Sequence, residues 1–373
     1  MDTQQKLELL ADASRYDLSC ACGTKDGSDH RRRGAHGMWL YPVSLPRGGT
    51  SIMLKTLMSN ACANDCRYCP FRCGQDIPRC TLSPEEVAAA HLDAVRRYGV
   101  FGLFLSSGVM GDADFTMDRM IAAASLLRQK HQYRGYIHLK IIPGASDEAI
   151  AQAVGLASAV SLNVEAPKAS YFRTLSQKKD FDRDIVRPIK LISRLTAPGT
   201  RYARVKQTTQ FVVGAAQEKD ADILQATYGL YRRLGLDRVY FSAYQKGLGD
   251  ASLPGESSTA EPADLLTREH RLYQAEFLLR LYKWDVSDIV LESDGNLSLT
   301  ADPKQRWAQS HPEFFPVRLR SAEREALLRV PGLGPVTADR ILNARKQGGL
   351  RRLEEAGLRG VRLEKAAAYV VAE

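Results

Sequence analysis

The sequence predicts an α/β chain that ends in a small all-α domain. Three observations carry this. From residue 51 onward, short apolar runs alternate with amphipathic helical stretches six times, the pattern of a parallel sheet with crossover helices. The helical C-terminus begins too soon for eight such units. Finally, the last segment holds two helical stretches joined by Pro331-Gly332-Leu333-Gly334 and is markedly basic.

Composition sets the outer bounds. At 373 residues the chain is long enough for two domains, or for one large domain with an appendage. It is 44% hydrophobic and 25% charged, ordinary for a globular protein. The N-terminal stretch lacks the apolar core of a signal peptide, and no apolar run approaches the roughly 20 residues of a membrane helix. Seven cysteines in such a chain read as metal ligands and free thiols, not disulfides. The expected compartment is the cytoplasm, with no membrane association. The net charge of +9 is compatible with a polyanionic partner without requiring one.

In order, residues 3–15 read as a short amphipathic helix carrying Leu7, Leu9 and Leu10. The polar run 24–37 reads as a loop with Arg31, Arg32 and Arg33 solvated. Residues 38–47 mix aromatics with prolines and are expected to pack across the barrel. The six strands are expected at 51–57, 102–105, 136–142, 160–164, 208–213 and 238–242. Helices are expected to start at Ser83-Pro84-Glu85-Glu86, where a cap, an N1 proline and early acids coincide, and to run over 117–131, 183–195, 220–234 and 265–282. The charged opening of the last, Arg268-Glu269-His270-Arg271, reads either as a solvated helix end or as a substrate contact.

The chemistry concentrates after the first strand, in Cys62-Ala63-Asn64-Asp65-Cys66-Arg67-Tyr68-Cys69. Three thiolates from one loop can hold a four-iron cluster and leave one iron without a protein ligand, whereas electron-transfer clusters use four cysteines. The alternative is structural zinc, which usually takes C-x2-C pairs; the three-residue first gap fits that poorly. Cys-x3-Cys-x2-Cys with Tyr68 before the third cysteine resembles the signature of the radical S-adenosylmethionine (radical SAM) superfamily. The resemblance implies a partial (β/α)6 barrel, a 4Fe-4S cluster on Cys62, Cys66 and Cys69, and SAM chelating the open iron. One electron would break the sulfonium C5′–S bond, and the 5′-deoxyadenosyl radical would take a substrate hydrogen. An electron donor such as flavodoxin or ferredoxin is implied as well.

In parallel barrels the active site sits at the C-terminal strand ends, so the residues there are the SAM candidates. Ser106-Ser107-Gly108 stands where the superfamily has a Gly-Gly-Glu-like turn for the SAM amino group; serines replace its first residues and no acid follows. Asn163 and Glu165 alternate onto one face after the fourth strand, to meet SAM or to stabilise loops. Lys140 is a candidate for a carboxylate, or a surface lysine. Gln210 and Gly214 lie on the fifth strand and its end, where Gly214 would admit close backbone approach. Tyr68 completes the expected cofactor site. Tyr240, Ser242 and Tyr244 share one face of the sixth strand and read as core.

Cys20, Cys22, Cys73 and Cys80 match the number needed for a second metal site, or are small buried residues that never meet. From residue 317 to the end there are 12 Lys/Arg against 7 Asp/Glu. The segment Leu327–Leu342 predicts one helix ending at Val330, a hairpin at Gly332 and Gly334, and a second helix from Pro335 with Ala338 and Ile341 inward. It resembles the helix-hairpin-helix motif, which places backbone N–H groups on DNA phosphates; Gly332, Leu333, Gly334, Thr337 and Arg340 are the expected contacts. A weaker second copy is expected around Gly357-Leu358-Arg359-Gly360.

Tyr16-Asp17-Leu18-Ser19-Cys20, Leu103–Val109, Tyr136–Lys140, Arg268–Gln274 and the hairpin extend the resemblance over nearly the whole chain, to the radical SAM proteins assigned to DNA modification and repair. That resemblance implies a uracil-DNA-glycosylase-like partner and a radical SAM enzyme acting on DNA. An RNA-modifying enzyme and a non-enzymatic iron–sulfur DNA-binding protein are the alternatives. The expected division is an N-terminal extension over 1–50, a radical SAM core over 51–310 and a nucleic-acid-binding domain over 311–373.

Overall fold

The computed structural model describes residues 1–14, 31–34, 38–44, 49–346 and 352–371. Its centre is an eight-stranded sheet whose spatial order follows the chain. Six parallel strands form a partial (β/α)6 barrel: β3 (Thr50–Leu57), β4 (Gly102–Ser106), β5 (Tyr136–Lys140), β6 (Ala159–Ser161), β7 (Lys206–Val213) and β8 (Arg238–Ala243). Parallel neighbours need crossovers, and helices supply them: α2 (Pro84–Tyr98), α3 (Ala113–Ser125), α4 (Asp147–Leu156), α5 (Ala169–Leu175), α6 (Arg187–Leu195) and α7 (Asp220–Leu234). The strand interiors are nearly all buried, as in Leu103, Leu105, Ile137, Leu139 and Phe241, because both faces are covered.

Local chemistry explains the best-defined boundaries. α2 starts on a reciprocal capping box between Ser83 and Glu86, with Pro84 in the first turn, and stops at Gly99 in the left-handed region. α3 starts four residues earlier than 117, because the Asp112 side chain caps the Phe115 N–H, and it continues through a π-helical turn at Leu126–Lys130. α4 was not expected from the sequence; the Ser146 hydroxyl caps it.

The N-terminal region differs from expectation. α1 (Thr3–Ser14) forms as predicted. Arg32 and Arg33 are exposed as expected, while Arg31 is half-buried; the Arg31 and Arg33 guanidinium groups stack 4.0 and 4.2 Å from the Trp39 ring, and Arg33 pairs with Asp12 at 3.2 Å. The loop reading of this run is corrected at Arg32–Arg33, which form the short strand β1. Residues 39–44 form β2 (Trp39–Ser44), antiparallel to β3, extending the sheet. Pro42 within β2 is the residue that hid this strand from sequence reading.

By packing, the chain forms two compact units, Met1–Glu218 with Gly229–Leu266, and Lys219–Tyr228 with Thr267–Glu373. The expected nucleic-acid-binding segment lies wholly in the second. After α7 the chain continues through α8 (Pro254–Ser257), α9 (Pro262–Leu281) and α10 (Pro303–Ser310); then α11 (Arg324–Arg329) and α12 (Pro335–Lys346) flank a turn at Gly332, with α13 (Gly360–Ala367) following a 3-10 turn that ends at Gly357 in the left-handed region. Ala338 and Ile341 face inward as predicted and join Leu327, Leu328 and Leu333 in a separate core.

Candidate active site at the open end of the barrel

The loop after β3 carries the three cysteines. Its own polar groups fold it. The Arg79 guanidinium bonds the carbonyls of Phe71 at 2.9 Å and Arg72 at 3.1 Å. Asn60 bridges Pro78 O and the Cys80 N–H. The Met58 N–H donates to Ser106 O and the Gly108 N–H to Ser59 O, each within 2.8 Å, which joins the loop to the end of β4. A Cβ on Gly108 would overlap the Ala61 carbonyl oxygen, so glycine is required there by close approach.

The segment after α5 closes over the loop. The Asp65 carboxylate accepts from the Ser176 hydroxyl and from the Gln177 and Lys178 N–H groups at 2.9 and 3.2 Å. Despite its partial burial, these donors hold the Asp65 carboxyl below the usual carboxylate range. The Arg67 N–H donates to Leu175 O at 2.8 Å, and Lys178 Nζ to Ala63 O at 2.8 Å.

Cys62, Cys66 and Cys69 line one cavity with Tyr68, Ser106, Ser107, Gly108, Lys140, Asn163, Glu165 and Gln210. The structure therefore brings together every expected cofactor residue except Gly214. Gly214 is a left-handed turn residue, φ 92°, whose N–H is taken by Glu218, and it lies outside the cavity lining. Ser242 and Tyr244 reach the lining as well. Asn163 and Glu165 arrive by a different route from strand alternation. β6 stops at Ser161, and Glu165 adopts φ 62°, held by its N–H to Gln210 O and by the Val212 N–H to its own carbonyl. A left-handed glutamate is uncommon and costs backbone strain; here it turns the carboxylate inward.

Electrostatics mark the same place. Burial pushes the Cys62 thiol up, although the Val109 N–H reaches its sulfur at 3.4 Å. The Phe71 N–H meets Cys69 Sγ at the same distance. Tyr68 is driven well above its ordinary value by burial and then by the Glu165 charge. Lys179, missed by the sequence analysis, also lines the cavity. Burial alone would lower its ammonium; interaction with Cys66 and then Glu165 outweighs that and holds it raised. The contacts of Ser176, Gln177 and Lys178 with Asp65 and Ala63 hold this segment over the cysteine loop, and no sequence motif marks Lys179.

These residues fit the implied cofactors. Three soft thiolates on one loop suit iron–sulfur ligation, and their backbone N–H donors are of the kind that tune such clusters. Glu165 Oε2 is buried without a hydrogen-bond partner, an acceptor available to a cationic or hydroxyl group. Of the other cysteines, Cys73 faces Lys178 Nζ at 3.5 Å and Cys80 donates to Lys6 O at 3.7 Å, its thiol pushed up to about 11 by burial. Cys20 and Cys22 lie outside the described residues, and among the described residues no three His, Cys, Asp or Glu side chains are placed to hold a single metal ion.

In the second unit, the hairpin residues are divided in role. Leu333 and Thr337 are buried. Gly332 has φ 82°, and a Cβ there would overlap the Arg362 carbonyl oxygen of α13, so this glycine serves packing within the unit. Gly334, Thr337 and Arg340 line a cavity of that unit.

No family model matches the chain, and no curated protein does. Among solved structures, it is similar to the FeFe-hydrogenase maturase HydG from Carboxydothermus hydrogenoformans (18% identity, 61% of this chain, 51% of that one, TM-score 0.47). It is similar to methylornithine synthase PylB (15%, 60% and 62%, TM-score 0.47). A third similarity is to the cobalamin-dependent S-adenosylmethionine radical enzyme OxsB (11%, 83% and 51%, TM-score 0.35). The chain covers less than two thirds of each of these proteins. Likenesses this distant transfer no substrate or chemistry. No described helix is long and apolar enough to cross a membrane.

Proposed function

We propose that this chain is a radical SAM enzyme acting on DNA. One observation carries the reading: Cys62, Cys66 and Cys69 sit on the loop after the first parallel strand and face one cavity with Asn163, Glu165 and Lys179. When bound, a 4Fe-4S cluster and SAM supply a 5′-deoxyadenosyl radical for hydrogen abstraction. The chain's own part is to bind, orient and exclude water. The cysteines would hold the cluster. Glu165, with its buried unpartnered oxygen, would accept from a hydroxyl or ammonium of SAM, and Lys179 or Lys140 would meet its carboxylate. Ser106, Ser107 and Gly108 would offer backbone groups where β4 ends. Electrons would come from a flavodoxin or ferredoxin.

DNA as substrate rests on the second unit. Two observations support the reading: α11 and α12 flank the Gly332 turn, as a helix-hairpin-helix would require, and the segment from residue 317 carries more than half of the chain's excess positive charge. We assign it to phosphate contacts, with a uracil-DNA-glycosylase-like protein as the implied partner. Reduced protein should release 5′-deoxyadenosine from SAM, and Glu165→Ala should weaken SAM binding while keeping cluster iron. Duplex DNA should outcompete structured RNA for binding, with affinity falling steeply as salt rises. Preference for RNA would favour the RNA-modifying alternative, and iron without SAM cleavage the non-enzymatic one.

A further inference from the structure

A second cavity, of about 690 Å³, lies within the C-terminal unit and is in the size range of small-ligand sites. One wall is apolar: Phe277, Leu281 and Val336 are 38, 45 and 64% exposed, and the Arg280 guanidinium lies 5.4 Å from the Phe277 ring centre. The other wall is cationic. Lys304 is buried to 8% exposure; its Nζ donates to Leu333 O and lies 5.0 Å from the Tyr282 ring centre. Arg362 donates to Gly332 O at 3.3 Å, and Arg340 stands at the rim. Among the described residues none of these three meets a carboxylate in an ion pair. The acid beside Lys304, Asp302, is taken by Lys365 at 2.9 Å.

We propose that this cavity receives a single unpaired nucleotide, its phosphate on Arg362, Arg340 and Lys304 and its base against Phe277, Leu281 and Val336. Cations that face carbonyl oxygens instead of carboxylates leave positive charge uncompensated, and a phosphate supplies what is missing. An exposed aromatic and two aliphatics within the same cavity suit the face of a base, since stacking tolerates any base. Burial, offset in part by Asp302, pushes Lys304 down to about 7, with Arg362 and Arg329 adding to the fall; an anion seated there would draw a proton onto it. The nucleotide comes either from a strand, as a bulged or terminal residue, or from free solution. The strand case rests on the DNA reading above; the free case does not.

The test compares full-length protein on a paired duplex, on the same duplex with a one-nucleotide bulge, and with a deoxynucleoside monophosphate. The bulged duplex should bind about tenfold tighter than the paired one, the range of one base–aromatic stack. Phe277→Ser, at an exposed site, should erase that ratio and leave paired-duplex affinity unchanged; Arg362→Gln should weaken both. If no duplex binds but the monophosphate binds and Phe277→Ser weakens it, the cavity assignment stands with free nucleotide as the source, and the DNA reading fails. Equal binding of bulged and paired duplexes, a ratio indifferent to Phe277→Ser, or no binding of any of the three ligands overturns the assignment.

Discussion

Two lysines, one lining a cavity in each unit, are shifted in opposite directions. Lys179 lines the cysteine cavity against Cys66 and Glu165 and is held charged by them. Lys304 meets the Leu333 carbonyl, and burial drives it toward neutrality near pH 7. The side chain is the same, and the difference is the resident negative charge. In the barrel Cys66 and Glu165 of the chain itself face the cation, so it has partners before any ligand arrives. In the C-terminal unit the site is short of an anion. Burying a charge without a partner is costly, and such a lysine marks a place where a ligand can complete the site.

The largest effect should come from the close approach that closes the barrel site. Gly108→Val puts a Cβ into the Ala61 carbonyl, so the cysteine loop cannot dock on the end of β4. We expect near-complete loss of reconstituted iron with the rest of the fold intact by circular dichroism; full iron loading would show that the loop docks independently.

Next is the pH dependence set by Lys304. Its folded pKa of about 7 lies below the unfolded value near 10.4. Between these the unfolded chain binds the extra proton, so stability rises with pH over that window. The rise should amount to a few kcal/mol and should flatten in Lys304→Met, read by urea unfolding at several pH values. Equal slopes in the two proteins would mean that Lys304 keeps its proton.

His91 extends the comparison to a base with no partner. It is fully buried in α2, both ring nitrogens lack hydrogen bonds, and burial then Arg128 lower it to about 4. Its contribution is present above the unfolded value near 6.5 and lost as pH falls toward 4, on the order of 3 kcal/mol. His91→Phe should make unfolding less acid-sensitive in that window; unchanged acid sensitivity would reject the neutral buried ring.

The smallest effect is expected at Lys179. Lys179→Met removes the cation beside Cys66, so the midpoint potential of the reconstituted cluster should move negative while iron content holds. An unmoved potential would place Lys179 on SAM alone.

The strand order was legible because buried parallel strands are short apolar runs, and the start of α2 because Ser83, Pro84 and Glu86 form a local cap. The proposed cluster cysteines were legible because one loop carries all three. What was hidden depends on contacts far apart in the chain. Lys179 follows a segment held over the cysteine loop by Asp65, more than a hundred residues earlier. Glu165 reaches the cavity through a left-handed backbone that no alternation pattern foretells. Gly332 reads as a surface turn in sequence, yet α13 packs against it.

On the proposed function, Cys62, Cys66 and Cys69 hold a cluster that cleaves SAM. The direct measurement is anaerobic reconstitution of wild type and the triple Cys→Ala variant, with iron analysis and 5′-deoxyadenosine quantified after reduction. Wild type should carry about four irons at this site and release 5′-deoxyadenosine, and the variant should lose both. A variant that still makes 5′-deoxyadenosine from SAM would contradict the assignment.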